Sequence, residues 1–335
     1  MFEAILSSMR DGAIVLDNSD QIIYANQSFL DSFSLSRGEV VGKRLLEAVR
    51  IPELAGLAGE ARMADTPIEK EISVVYPEEK VFSCSATVIE TEEGEPEVMA
   101  IVFHDISEMK KLENLRSEFV ANVSHELKTP LTAIRGYVET LIDGAINDPE
   151  NNKGFLQKID KNAHNLSDLI EDILQLSSLE ARRGLEPFKE IDIGQEIGRV
   201  METLSGKLKT KKIEIVGLEN CPVVGDENLI YRALLNLVDN AINYSSPGNK
   251  IEIACRRAEK TVEVSVKDYG IGIAAEHLPR LFERFYRIDK ARSRDLGGTG
   301  LGLSIVKHIM DIHGGSVKVE SEEGKGSTFT LVFPV

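Results

Sequence analysis

Apolar residues recur at intervals of three, four or their sums through Leu112, Leu115, Phe119, Val123, Leu127, Ile134, Val138 and Leu141. This spacing keeps one face of an α-helix apolar over many turns, as in a coiled coil. Asp143 to Asn152 interrupts the pattern with Gly144, Asn147 and Pro149, and a second stretch follows at Phe155, Ile159, Leu166, Leu169, Ile173, Leu176 and Leu179. Two long helices joined by a short polar loop predict an antiparallel hairpin. A single hairpin cannot enclose its own apolar stripe, so a second copy is expected to complete a four-helix bundle. The chain is therefore predicted to work as a homodimer.

With 335 residues the chain exceeds one ordinary domain, and the hairpin, assigned to residues 107–186, divides it into three. Residues 1–106 alternate strand-like runs (Ala13 to Leu16, Gln21 to Tyr24, Lys80 to Ile89, Val98 to Phe103) with short polar helices and glycine turns. That predicts a small α/β domain, with acidic Glu90 to Glu97, carrying Gly94 and Pro96, as a hairpin turn. Residues 187–335, past Gly184 and Pro187, mix helices with strands. The helices are read at Ile193 to Leu208, Glu227 to Tyr244 and Leu301 to His313. Strands are read at Lys212 to Val216, Lys250 to Arg256, Thr261 to Lys267, Ser316 to Ser321 and Ser327 to Phe333. Strands in a run beside several helices predict an α+β sandwich.

The net charge of -16, from 55 acidic and 39 basic residues, disfavours a nucleic-acid partner, which needs a basic face. Cys84, Cys221 and Cys255 lie far apart with no metal-ligand or redox spacing, so they are read as packing residues in a reducing compartment without a disulfide framework. No stretch approaches the ~18 uninterrupted apolar residues of a membrane span. Met1 to Arg10 carries Glu3 and lacks the basic-then-apolar order of a secretion signal. The chain as given is expected to be soluble and cytoplasmic, any anchor lying outside it.

At about 100° per residue, His125 falls roughly 160° from the centre of the apolar stripe and is predicted to face solvent. An exposed histidine is ordinarily a surface residue, but its neighbours add chemistry. Glu126 can take a proton from one imidazole nitrogen while the other attacks phosphorus. Thr129, one turn on, can orient a water. Pro130 removes a helical hydrogen bond and lets the helix bend just after the site. Phe119 to Tyr137, FVANVSHELKTPLTAIRGY, resembles the H box of two-component sensor histidine kinases. The resemblance implies that His125 is the phospho-acceptor, that Glu126 is its base, and that Thr129 serves a phosphatase activity on the phosphorylated partner. The continuation GYVETLIDGA is most similar to phosphate-regulon sensors, which implies a phosphate-responsive signal.

Asn236, Asn240 and Asn243 share one face of an otherwise apolar helix (Leu234, Leu235, Leu237, Val238, Ala241, Ile242), where amides are costly unless liganded. Their carbonyl oxygens suit a hard Mg ion completed by water and phosphate, although a polar helix face with an Asn near Tyr244 is the plainer alternative. Asp268, Gly270 and Gly272 end a strand as DYGIG, giving an acceptor for an exocyclic amine and two turns with bare backbone. GGTGLG, Gly297 to Gly302, opens a helix whose N–H groups can face phosphates. Each motif alone reads equally as a turn or a flexible loop. Their order, with FERFYR (Phe282 to Arg287) between, resembles the N, F and glycine boxes of the Bergerat-type ATP-binding domain shared with gyrase-like ATPases. That resemblance implies Mg held by Asn240 with Asn236, Tyr244 beside adenine and Asp268 on its amine. It places Arg287 and Gly298, Thr299, Gly300, Leu301 and Gly302 on the phosphates, and makes Ile288 to Leu296 a lid, basic through Lys290, Arg292 and Arg294. The family usually has Lys or Arg at the place of Asn243, so that charge falls to Arg287 or a lid cation.

The first domain resembles a PAS domain in GAIVLDNSDQIIYANQSFLDSF (Gly12 to Phe33) and in HDIS, His104 to Ser107. No histidine precedes His104 to hold a haem, and Cys84 lacks the setting of a flavin adduct, so transmission or dimerisation is the expected role. There is no GxxxxGK[ST] sequence and no HRD or DFG element, which excludes P-loop and serine/threonine kinase chemistry. The expected activity is ATP-dependent phosphorylation of His125, with transfer to an aspartate of a response regulator. A gyrase-type ATPase clamp is the alternative; a scaffold with a degenerate site is disfavoured by the intact Asn240, Asp268 and glycine loop.

Overall fold

The computed structural model describes residues 9–75, 78–89, 97–181, 186–208, 212–216, 221–246, 248–289 and 298–335. They fall into two compact units, Met1–Val120 and Ala121–Val335, divided inside one long helix. The acidic turn expected at Glu90 to Glu97 lies, up to residue 96, outside the described residues.

In the first unit, β1 (Gly12–Leu16), β2 (Ile22–Ala25), β3 (Ile68–Val74), β4 (Lys80–Ile89) and β5 (Val98–Asp105) form an antiparallel sheet in the order β2-β1-β5-β4-β3. Four short helices fill the β2–β3 crossover: α1 (Gln27–Ser32), α2 (Arg37–Val40), α3 (Leu45–Val49) and α4 (Pro52–Arg62). Strands β4 and β5 alternate as half-buried strands should, sending Phe82, Cys84 and Ala86 and then Met99, Ile101 and Phe103 inward. Phe29 from α1 and Phe33 meet Phe82 and Phe103 with ring centroids 4.7–6.2 Å apart, which closes the core under the crossover. Buried Asn26 begins α1 by accepting from Phe29 N–H at 3.0 Å, and it also accepts from Ala13 N–H at 2.9 Å. Strand β3 is an addition to the expected set, because IEKEISV buries only Ile72 and Val74 and shows little alternation.

Helix α5 (Ser107–Ile142) starts where β5 ends: Asp105 Oδ1 accepts from Ser107 N–H at 3.0 Å, and Ser107 Oγ accepts from Val81 N–H at 2.9 Å. It contains Pro130 and stops before Gly144, whose φ of 120° few other residues adopt. A 3-10 turn, Ala145–Asn147, leads to α6 (Asn152–Glu180), and Tyr137 packs on Phe155 at 6.0 Å across the predicted hairpin. Leu169, Leu176 and Leu179 are buried, whereas Leu131, Ile142, Leu156 and Leu174 are each more than half exposed. In the stripe itself Leu112 and Leu115 are more than half exposed and Val138 is 38% exposed, so the hairpin leaves apolar surface uncovered within one chain.

The rest of the second unit is the predicted α+β sandwich. Strands β7 (Lys212–Val216), β9 (Lys250–Arg257), β10 (Thr261–Asp268), β11 (Ser316–Glu322) and β12 (Gly326–Pro334) form a sheet in the order β11-β12-β10-β9-β7, parallel at β7–β9 and antiparallel elsewhere. A separate ladder pairs β6 (Lys189–Asp192) with β8 (Pro222–Gly225), four-residue strands too short for a periodic signal. Helices α7 (Ile193–Thr203), α8 (Ser205–Leu208), α9 (Glu227–Tyr244) and α10 (Gly302–Ile312) complete the element set. The helix expected over Ile193 to Leu208 breaks at Leu204. Ile197, Ile230, Leu234, Ile305 and Ile309 bury the helix faces, and Val262, Val264 and Leu331 the sheet face. His313, just past α10, ties two helices together. Its Nε2 accepts from Asp226 N–H at 3.0 Å, its Nδ1 lies 2.7 Å from the Ile309 carbonyl, and its ring stacks on Phe188 at 4.9 Å.

Cys221 and Cys255 form a disulfide with Cα atoms 6.5 Å apart, which corrects the reading of all three cysteines as unbridged packing residues. Their separation of 34 residues gave no hint, because Cys221 precedes β8 and Cys255 lies in β9, strands of different sheets. Cys84 is free, and burial pushes its thiol up to about 12. Among the described residues no helix is long and apolar enough to cross a membrane.

Candidate active site

A cavity of about 730 Å³ opens among α9, the β10 end, the glycine loop before α10, and α6 of the hairpin. Asn236, Asn240, Asn243 and Tyr244 line it from α9, half-buried beside the buried row Leu237, Val238 and Ala241. Asp226 starts this helix by accepting from Leu229 N–H at 3.2 Å, and so fixes the rotation that turns the amides to the cavity. Asn243 donates to Asp239 at 2.9 Å.

Asp268 closes the opposite wall and is 5% exposed. Burial pushes its carboxyl above the usual range, while N–H bonds from Gly270 (2.8 Å) and Ser327 act the other way. Gly270 does not line the cavity; it supports Asp268 from behind, where a Cβ would stand 2.2 Å from the Tyr244 carbonyl oxygen. Gly272 does line it, and at φ +66° it passes so close to Glu322 that a Cβ would stand 1.9 Å from that carbonyl oxygen.

Gly298, Thr299, Gly300 and Gly302 form the third side. The Gly300 carbonyl accepts from Phe285 N–H at 2.9 Å, pinning the FERFYR segment to the loop. Leu301 is buried at the N-cap position of α10, which has no side-chain cap, so the first N–H groups of that helix are available to an anion. Gly302 lets α10 approach α9 closely: a Cβ there would be 3.3 Å from Asn236 Oδ1. The basic part of the expected lid, Lys290, Arg292 and Arg294, lies outside the described residues, as does Gly297.

His125, Glu126 and Thr129 of α5 are not part of the cavity lining. His125 is exposed, its side chain 70% accessible as its position opposite the stripe predicts, and its Nδ1 is 3.7 Å from Glu126 Oε1. Thr129 Oγ donates to the His125 carbonyl at 3.1 Å. Glu126 links the two regions, because Arg287 Nη2 from the cavity lies 3.3 Å from its Oε2. The sequence reading missed the acidic side of the site: Asp168, Glu171 and Asp172 from α6 line the cavity with Asp239. Asp239, next to Asn240, was visible on the motif helix; Asp172, 127 residues from the Thr299 it contacts, carried no local signal.

The residues fit an ion that depends on its nucleotide. Among the described residues no group of three or more His, Cys, Asp or Glu could hold a metal alone. Asn236 and Asn240 instead place amide oxygens where phosphate oxygens and water would have to complete a Mg shell.

Residues 225–335 match the histidine kinase-, DNA gyrase B-, and HSP90-like ATPases, residues 115–182 the His kinase A (phospho-acceptor) domain, and residues 1–106 the PAS fold. The sensor-like histidine kinase SenX3 of Mycolicibacterium smegmatis is 34% identical over all of this chain and 85% of its own length. The sensor histidine kinase WalK of Bacillus subtilis is 34% identical over 99% of this chain and 54% of its length. Among solved structures, histidine kinase ThkA in complex with the response regulator protein TrrA matches 99% of this chain and 97% of that one, at 26% identity and a TM-score of 0.54. The Acinetobacter baumannii histidine kinase AdeS matches 63% of this chain and 97% of that one, at 27% identity and a TM-score of 0.52. The chain belongs to the sensor histidine kinases of two-component systems. It is a protein histidine kinase with PAS, phospho-acceptor and ATP-binding domains.

Proposed function

We propose that the chain binds Mg-ATP in the α9–α10 cavity, phosphorylates its own His125, and passes the phosphoryl group to an aspartate of a response regulator. The observation that carries this reading is that exposed His125 and the cavity residue Arg287 share one neighbour, Glu126. The neutral imidazole attacks the γ-phosphorus through Nε2. The bond from phosphorus to the β–γ bridging oxygen breaks, ADP leaves with the electron pair, and the Nδ1 proton passes to Glu126. In the second step Glu126 returns the proton to Nδ1, the regulator's carboxylate takes the phosphoryl group, and the N–P bond electrons return to Nε2, leaving a neutral imidazole.

Asp268 accepts from the adenine amine, and Tyr244 packs beside the ring. Gly270 and Gly272 let the DYGIG turn pass close enough to shape that pocket. Arg287, Thr299 and the N–H groups of Gly298, Gly300, Leu301 and Gly302 meet the phosphates. Asn240 and Asn236 would hold Mg, which supplies charge neutralisation between the phosphates when bound. Asn243, engaged by Asp239, stands at the edge of this set. Thr129 keeps oxygen lone pairs that can accept from a water, which supports a phosphatase activity toward the phosphorylated regulator.

The exposed apolar residues of α5 and α6, among them Leu112, Leu115, Leu131, Leu156 and Leu174, support a homodimer closed by a four-helix bundle. The likeness to ThkA, solved in complex with the response regulator protein TrrA, supports a regulator as partner. Domain limits of 1–106, 107–186 and 187–335, a cytoplasmic location and a phosphate-responsive signal belong to the same reading. The test is incubation of the chain and a His125→Ala variant with γ-labelled ATP and Mg. Acid-labile, alkali-stable label absent from the variant is expected; ATP hydrolysis with no such label would replace the kinase reading with an ATPase clamp.

A further inference from the structure

Two side chains that the proposed function assigns to the ATP phosphates are already held by carboxylates of the hairpin. Arg287 lies 3.3 Å from Glu126, with side chains 8% and 18% exposed. Thr299 Oγ donates to Asp172 Oδ2 at 2.6 Å. Two further contacts join the same surfaces: Arg284 to Glu180 at 2.5 Å, and Arg232 Nη1 to Gln175 Oε1 at 2.5 Å. A carboxylate presents to guanidinium and hydroxyl donors much what a phosphate presents: a pair of negative oxygens on one atom, each able to accept.

We propose that in the nucleotide-free protein Asp172 and Glu126 occupy the places of ATP phosphate oxygens on Thr299 and Arg287, so that nucleotide and docked hairpin compete for these donors and the docked arrangement is autoinhibited. The inference rests on the nucleotide reading above and adds to it how the site is held before ATP arrives.

The competition is sharpest at Thr299. A hydroxyl has one proton and can give it to Asp172 or to a phosphate, not to both. Arg287 has several N–H donors, but its Nε packs beside the glycine loop, where a Cβ on Gly300 would lie 3.1 Å away, so its position is tied to that loop. Charge points the same way, since Asp168, Glu171 and Asp239 line the cavity with Asp172 and a triphosphate brought against them meets like charge. Asp172 is also a strained anion: burial pushes its carboxyl up, with the Thr299 bond opposing, and hydration on release would relieve it. ATP that displaces Asp172 and Glu126 also frees Glu126 for His125, which couples loading of the site to its competence.

The experiment is calorimetric titration of the full chain with Mg and the β,γ-imido analogue of ATP, which binds without transferring phosphate. Asp172→Ala should tighten binding roughly 5- to 10-fold, and Asp172→Asn, which keeps the volume and loses the charge, by an intermediate factor. The gain should disappear in a Thr299→Ala background, since the contested hydroxyl is then gone. Asp168→Asn, which removes a cavity charge not bonded to Thr299, should give a smaller gain than Asp172→Asn, and one that persists without Thr299. Unchanged or weaker binding by both Asp172 variants, with melting temperatures like that of the parent chain, would overturn the lock. So would a gain that persists undiminished without Thr299, or one matched by Asp168→Asn. A parent chain that binds no analogue would instead remove the nucleotide reading, and the lock with it.

Discussion

Gly270→Ala should disable nucleotide binding while leaving the fold standing. A Cβ at Gly270 would lie 2.2 Å from the Tyr244 carbonyl oxygen and 2.8 Å from Asp268 Oδ1, where ordinary contact begins at 3.4 Å. Relief requires a displacement on the order of 1 Å. It has two routes, and both cross the site. Moving the Tyr244 carbonyl shifts the end of α9 with Asn243 and Tyr244. Moving the turn instead drags Asp268 through its 2.8 Å bond from Gly270 N–H. A misplacement of this size is worth about 100-fold, or roughly 2.7 kcal/mol, in a site that depends on geometry. The clash itself should lower stability by about 1–3 kcal/mol, as overpacking does. The assay is calorimetric binding of the non-hydrolysable ATP analogue with Mg, beside urea denaturation. Gly198→Ala is the matched control: exposed in α7 with nothing within 4 Å of its Cβ, it should gain about 0.5–1 kcal/mol of stability and keep its affinity. If Gly270→Ala binds within about threefold of the parent chain, the turn is not a rigid support for Asp268 and the reasoning fails.

Three further outcomes follow from the same geometry. Because Asp268 has its carboxyl raised by burial, its ionised form burdens the nucleotide-free fold above that raised pKa, and acid relieves the burden. The adenine amine needs the ionised acceptor, so affinity for the analogue should fall as pH drops from neutral, earlier than for an ordinary Asp near about 3.9; a flat profile over that range would contradict the assignment. His313→Ala leaves the Asp226 N–H without its 3.0 Å acceptor and strips the ring from Phe188, so stability should fall by about 3 kcal/mol, and a urea midpoint implying less than about 1 kcal/mol would count against the latch. Reduction of Cys221–Cys255, which closes a span of 34 residues, should cost roughly 3–4 kcal/mol, read as the difference between denaturation curves with and without dithiothreitol; superimposed curves would mean that the bridge adds nothing.

The parts of this molecule that could be read from sequence are those whose cause is local. The hairpin was legible because its apolar residues repeat for many turns and Gly144 supplies a backbone angle that stops the first helix. The asparagine face of α9 stood out because amides interrupt an apolar helix, and the structure places Asn236, Asn240 and Asn243 on one cavity wall. Long-range pairings were not legible. The disulfide depends on how the β6–β8 ladder meets the main sheet, and the Asp172–Thr299 contact on how the hairpin meets the glycine loop. Neither leaves a trace in the residues beside it. Strands β6 and β8 fall between these cases, each a four-residue segment fixed by its partner and not by its own pattern.

Pro130 sets a mechanical condition on everything His125 does. Having no N–H, it gives nothing to the carbonyl of residue 126, so α5 can yield at that joint without breaking a backbone bond. In the role proposed for it, His125 must show the same nitrogen to a nucleotide and later to a different protein, which needs two lines of approach. A stiff rod would offer one of them well and the other badly. On that proposal, the gap in the ladder at Pro130 would let the ring pivot between them, and the absence of one hydrogen bond would turn a structural helix into a bearing.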